Sequence, residues 1–156
     1  MRIATLRRSR TGERAPGVVG TARLDRRTKN LTKRLRPGDV AVIDHVDLDR
    51  VAAEALVGCG VAAVVNVAPS VSGRYPNLGP EVLLSAGIPV VDNVGPDVFG
   101  QIREGDQLRV SDDTVYDANG VVVATGQAQD AESLASAMAE ARAGLEGHEP
   151  ERLRRG

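Results

Sequence analysis

Tryptophan is absent from these 156 residues, and two Tyr and one Phe are the only aromatics. So few rings leave little to stack on bases or sugars, which argues against single-strand nucleic-acid recognition. One cysteine, Cys59, excludes an internal disulfide; its setting in ALVGCGVAAVV reads as a buried small hydrophobe in a reducing cytoplasm. His45 and His148 are the only histidines and lie far apart, so no zinc spacing exists and no metal or cofactor is expected. The same shortage weighs against a serine hydrolase, since neither G-x-S-x-G nor a partner acid accompanies His45. No phosphate loop of the G-x-x-x-x-G-K-[ST] type appears. No apolar run approaches the roughly 20 residues of a membrane span, and none follows the basic N-terminus as a secretory signal would require.

What is present begins with charge. Residues 1–36 hold 12 Lys/Arg against 2 Asp/Glu, and residues 37–156 hold 8 against 19, so a net charge of −1 conceals a basic arm on an acidic body. Either the two halves attract and dock, or the arm meets phosphate, lipid or an acidic partner. Its cations Arg26, Arg27, Lys29, Lys33 and Arg34 form a candidate partner-binding patch, in a stretch where Leu24, Leu31 and Leu35 share a helical face. Without aromatic interleaving or a recognisable motif, DNA is not expected as the partner.

Along the chain, residues 1–17 read as a flexible leader and 18–37 as the basic arm with a first strand and helix. Residues 38–127 hold an α/β domain, 128–146 a connector helix, and 147–156 a frayed tail. In the domain, VAVID, VAAVVNV and PVVDNV are strands. Between them lie the helices LDRVAAEALVGC, with Asp47 as its expected N-cap and Leu48, Val51, Ala52, Ala55 and Leu56 on one face, and PEVLLSAG. This is a parallel βαβαβ core. EGDQLRV, DTVYD and GVVVATG then follow as strands without intervening helices, with Asn119-Gly120 as a hairpin turn, so a β-meander completes the core. The connector helix has Asp130 as N-cap, Ser133 at N3, and a narrow stripe of Leu134, Met138, Ala141 and Leu145 that suggests a homodimer seam.

The loop SVSGRYPNLGP leaves the carboxyl end of a strand and enters a helix at Pro80, the place where open α/β sheets bind ligands and where helix N-termini attract anions. Ser70, Ser72, Gly73, Arg74, Tyr75 and Asn77 are its candidate ligand-binding residues, with Arg74 as a planar fork for phosphate or carboxylate. Asp44, Asp47, Asn66 and Asp92 are secondary members. The competing reading is a turn in which Arg74 pairs with a neighbouring Asp. For the aspartates of VIDHVDLD the alternatives are a hard cation, or capping by Asp47 with the others solvated.

Two resemblances carry further expectations. PGDVAVIDHVD, VAAVVN, AGIPVVDNVG and IREGDQLRV running into TVY resemble, in that order, the swivelling phosphohistidine domain of phosphoenolpyruvate-utilising enzymes. That resemblance implies a compact swivelling β/β/α fold. Where the family carries its phosphoryl-accepting histidine, this chain has Ser72-Gly73-Arg74, so phosphohistidine transfer is not expected. Over roughly residues 17–145, DRRTKNLTKRLRPGDVAVIDHVDLDRVAAEALV and NVAPSVSGRYPNLGPEVLLSAGIPVVDNVG are similar to the N-terminal region of actinobacterial SteA-type cytokinetic-ring proteins. In that family a domain similar to thiamine pyrophosphokinase follows, and a membrane partner, SteB, is implied. The expected function is a non-catalytic interaction or ligand-sensing module of a bacterial cell-division or envelope-growth protein, cytoplasmic and peripheral at the septum. A small phosphorylated ligand is a further expectation. The alternative is part of a thiamine pyrophosphokinase-like enzyme that handles nucleotide or phosphate.

Overall fold

Alternation within the apolar runs decides which side of the sheet each residue faces. The computed structural model describes residues 16–72, 79–136, 139, 140, 142 and 143. Strands β1 (Val18–Leu24), β2 (Val40–Ile43), β3 (Ala63–Asn66) and β4 (Val90–Asp92) lie side by side and parallel. Helices α1 (Thr28–Leu31), α2 (Arg50–Gly58) and α3 (Gly79–Ser85) connect them. Ala41, Ile43, Val64 and Val90 pack under these helices with Leu31, Leu56 and Leu83, whereas Val40, Val42, Val65 and Val91 point to the opposite face. Both faces of β2 and β3 are thus covered, which explains why their sequences are apolar up to Asn66 at the end of β3.

The chain then adds a single turn, α4 (Val98–Gln101), and a meander of β5 (Gln107–Ser111), β6 (Thr114–Tyr116) and β7 (Val122–Thr125). Gly120, at φ 81, makes the β6–β7 turn with Asn119, as the sequence indicates. A last strand, β8 (Gln127–Ala128), pairs antiparallel with β4. Among the described residues the order β7-β6-β5-β1-β2-β3-β4-β8 makes an α/β architecture of eight strands, the expected parallel core completed by a meander.

Two features bend this sheet around its own core. Val18–Thr21 of β1 pair with β5, while Ala22–Leu24 pair with β2, so β1 forms the corner between two halves. Gly20 stands at that corner, where a Cβ would lie 2.3 Å from the Gly38 carbonyl oxygen. The second feature is Gly126, the one residue between β7 and β8, which occupy opposite ends of the strand order. The sheet must curl until its two edges meet there, and a Cβ on Gly126 would lie 2.2 Å from the Asp92 carbonyl oxygen. Inside the curl Ala22, Val42, Val65, Leu108, Val110 and Val115 pack with Val98 and Ile102.

Several expectations are corrected. Residues 18–24 are the fourth of eight strands and belong to the domain, and Leu24 lies in β1 instead of on a helical face. Helix α1 is only one turn: Leu31 is buried, and residues 32–34 continue as a turn before Pro37-Gly38. Helix α2 starts at Arg50, because Asp49 caps it by accepting from the Ala52 N–H at 2.7 Å. Asp47 sits outside, at φ 52. The buried face of α2 is Ala53 and Leu56, leaving Val51 77% exposed. Helix α4 and strand β8 have no counterpart in the sequence reading. Among the described residues, no helix is long and apolar enough to cross a membrane.

Candidate functional site

The carboxyl ends of β2, β3 and β4 place Asp44 and His45, Asn66, and Asp92 in a row. Asn66 is fully buried and uses every hydrogen-bonding position of its amide. Its Oδ1 accepts from the His45 N–H (3.0 Å) and the Ala68 N–H (3.1 Å), and its Nδ2 donates to the His45 carbonyl (2.9 Å) and to Ser70 Oγ (2.8 Å). Ser70 Oγ donates onward to Asp92 Oδ1 at 2.5 Å, while Asp92 Oδ2 accepts from the Ser70 N–H (3.0 Å) and Gln129 Nε2 (2.8 Å). Burial pushes the Asp92 carboxyl above its ordinary range, against the downward pull of the Ser70 hydroxyl, the Ser70 N–H and the Gln129 amide. Outside this buried chain, Asp47 accepts from the Ser72 N–H (2.8 Å) and Ser72 Oγ (2.9 Å).

Ser70, Asn66 and Asp92 are therefore brought together, and they face one another inside the protein. They fix the loop that leaves β3 to its neighbours. Gly73, Arg74, Tyr75 and Asn77 lie outside the described residues. Helix α3, at the far end of that loop, has only seven residues, and Gly79 packs on the Leu48 and Asp49 carbonyl oxygens. No strand-order reversal occurs among the parallel strands, and all three crossover helices lie on one face, so the crevice of doubly wound folds has no equivalent here.

The open concavity on this side is a groove of about 660 Å³ between α1 and α2. Arg26, Arg27, Thr28, Lys29 and Thr32 form one wall, Val46, Val51, Ala52 and Ala55 the other, with Asp44, His45 and Asp49 at the strand end. His45 is held by its ring: Nδ1 lies 2.8 Å from the Thr28 hydroxyl. Arg26 reaches Asp44 at 3.5 Å and stacks over the Phe99 ring, 4.4 Å from its centroid. Asp49 is the cap of α2. Arg27 and Lys29 make no ion pair among the described residues. The groove thus combines carboxylates held by local partners with two cations that make no ion pair among the described residues, Arg27 acting on Asp25 only from beyond ion-pair distance.

The basic patch divides accordingly. Arg26, Arg27 and Lys29 line the groove, whereas Lys33, though exposed, is not among its lining residues. Arg34 is a clamp: it donates to the Leu24 carbonyl (2.7 Å) and pairs with Asp25 (3.0 Å) and Glu104 (3.3 Å), tying α1 to β1 and the start of β5. Asp25 is held below its ordinary range by the Arg27 N–H, and the Arg34 guanidinium adds to that pull. Burial pushes Glu104 up, but the Leu24 N–H and Arg34 outweigh it, so its carboxyl is also held low. Asp44, Asp47 and Asp49 serve an arginine, a loop serine and a helix start respectively. Among the described residues no group of three or more His, Cys, Asp or Glu could hold a metal ion.

On the C-terminal side, Asp130 and Ser133 form the reciprocal cap of residues 131–136: the Ser133 N–H donates to Asp130 Oδ1 (2.7 Å) and the Asp130 N–H to Ser133 Oγ (3.0 Å). Leu134, assigned from the sequence to a dimer seam, is 5% exposed and packs within the chain. Met138, Ala141, Leu145 and the tail lie outside the described residues.

No protein-family model matches this sequence. No curated protein is significantly similar to it.

Proposed function

We propose that this chain is a non-catalytic interaction or ligand-sensing module of a bacterial cell-division or envelope-growth protein, and that it takes an anionic group in the groove between α1 and α2. The observation that carries the reading is the pair Arg27 and Lys29, two cations on the groove wall without an ion-pair partner among the described residues. A basic groove on a domain whose body is acidic is a local feature that only a specific anion exploits. The loop after β3 is a weaker candidate, because Ser70 is buried on Asp92 and Ser72 is held by Asp47. The cell-division setting rests on the SteA-type sequence resemblance. A membrane partner of the SteB kind would supply the docking group at the septum.

Two measurements test the reading. In a thermal-shift panel of phosphate, nucleotides, thiamine phosphates, sugar phosphates and acidic peptides, a ligand at 100 times its dissociation constant adds about 2.7 kcal/mol. That raises the melting temperature by a few degrees in a domain of this size, and Arg27→Glu with Lys29→Glu is expected to abolish the shift. In an actinobacterial host a fluorescent fusion of the full chain is expected at division septa. Uniform fluorescence there would overturn the division setting, and ligand shifts indifferent to the double reversal would overturn the groove.

A further inference from the structure

The two walls of the groove ask for different chemistry, and a single ligand must satisfy both. Arg27 and Lys29 offer positive charge on the α1 side. Opposite them Val46 and Val51 are 57% and 77% exposed, although each borders the same concavity. The Asp44 carboxylate is reached by Arg26 and that of Asp49 caps α2, so the uncommitted charge in the groove is positive. A ligand matched to both walls would be anionic on one side and apolar on the other.

We infer that the groove docks a short acidic peptide segment with apolar side chains, carried by a protein partner. This rests on the reading of the domain as a binding module. A compact phosphate would leave both valines bare and sit close to two carboxylates, a like-charge arrangement that costs energy in a partly desolvated site. Acidic side chains spaced along a peptide can reach Arg27 and Lys29 while apolar neighbours cover Val46 and Val51. Among the described residues no Phe, Tyr or Trp lines the groove; its one ring, His45, is tied to the Thr28 hydroxyl, and Arg26 covers a face of nearby Phe99, which leaves a nucleobase little to stack on. An anionic bilayer is a plane that would face the acidic body as well as the groove, 8 Lys/Arg against 19 Asp/Glu beyond residue 36, whereas a short peptide meets the groove alone. The volume, about 660 Å³, is in the range that suits a few side chains.

The test uses the full chain and a fluorescein-labelled octapeptide of alternating glutamate and leucine, read by anisotropy. A glutamate–serine octapeptide, a lysine–leucine octapeptide and inorganic phosphate serve as competitors. The glutamate–leucine probe is expected to bind and to be displaced by none of the three at equal concentration. Lys29→Glu and Val51→Asp should each weaken it about tenfold, as expected for loss of roughly one good contact. Lys33→Glu, outside the groove, should change it less than about twofold. All three substitutions are at exposed positions, and circular dichroism checks that each variant folds. Equal binding of the glutamate–serine peptide, indifference to Val51→Asp, or displacement by phosphate would overturn the peptide inference and leave an anion site standing. Failure of every anionic probe to respond to Lys29→Glu would overturn the anion site as well.

Discussion

Asn66 shows how one side chain can hold a loop without touching a ligand. Its amide substitutes for a missing strand neighbour, bonding both the N–H and the carbonyl of His45 just past the end of β2. Asn66→Ala removes the side-chain partner of three part-buried backbone groups, the His45 N–H and carbonyl and the Ala68 N–H, and is expected to cost about 2–4 kcal/mol in urea unfolding. Asp92 contributes with the opposite charge logic. Its folded pKa lies above the ordinary value of 3.8, so the folded state holds the proton more tightly than the unfolded chain. That contribution to stability is complete at acid pH and is lost as pH rises through the folded pKa. Asp92→Asn removes the titration, so the advantage of wild type over the variant should be largest below the ordinary carboxyl value of 3.8 and shrink as pH rises above it. A difference that grows with pH would show that the hydrogen bonds from Ser70 and Gln129 outweigh burial. At this scale the sequence was partly legible. Ser70 stood out as a residue of the candidate ligand loop and Asn66 and Asp92 as its secondary members, but nothing in their spacing says that they bond to one another. Arg27 and Lys29 were visible only as members of a charge run, and nothing in that run shows that Arg34 turns back to β1.

Among the elements, α2 shows how a helix start is misread. Leu48, Val51, Ala52, Ala55 and Leu56 fall at helical intervals, which pulls the apparent start forward to Asp47. Leu48 is buried from the preceding loop, and the cap is Asp49. Asp49→Ala should therefore cost about 1 kcal/mol through the lost cap, with reduced helix protection in hydrogen exchange at residues 50–53. Asp47→Ala should leave those amides protected and loosen the loop at Ser72 instead. Glu104 and Arg34 join α1 to β1 and β5 at the surface, where pairs of this kind contribute little. Glu104→Gln is expected to cost no more than about 1 kcal/mol at neutral pH. Because the Glu104 carboxyl is held low, that difference should fade as pH falls through the carboxylate range. Strands β2, β3 and β4 were legible because burial on both faces forces short apolar runs, whose only polar residues are Asn66 and Asp92 at the ends of β3 and β4. Strand β8 was not, since two residues carry no periodicity.

For the molecule as a whole, the decisive position is Gly126, where the chain passes from one end of the strand order to the other. The Asp92 carbonyl occupies the space that a side chain would need. Gly126→Ala should cost about 3 kcal/mol or more, through displacement of backbone on both sides of the join. Its effect should spread to the amide resonances of β4 and β6 alike, whereas Gly100→Ala, at a helical glycine with open space around it, should stay local. Sequence alone could not show the curl, because it depends on contacts between strands remote along the chain.

That join also sets a timetable for synthesis. Ribosomes deliver β1 to β4 first, and until β8 follows, the outer side of β4 presents unpaired N–H and carbonyl groups to any neighbouring nascent chain. The seam shuts only when the last strand arrives, so chains still emerging in a polysome are the population most exposed to wrong pairing.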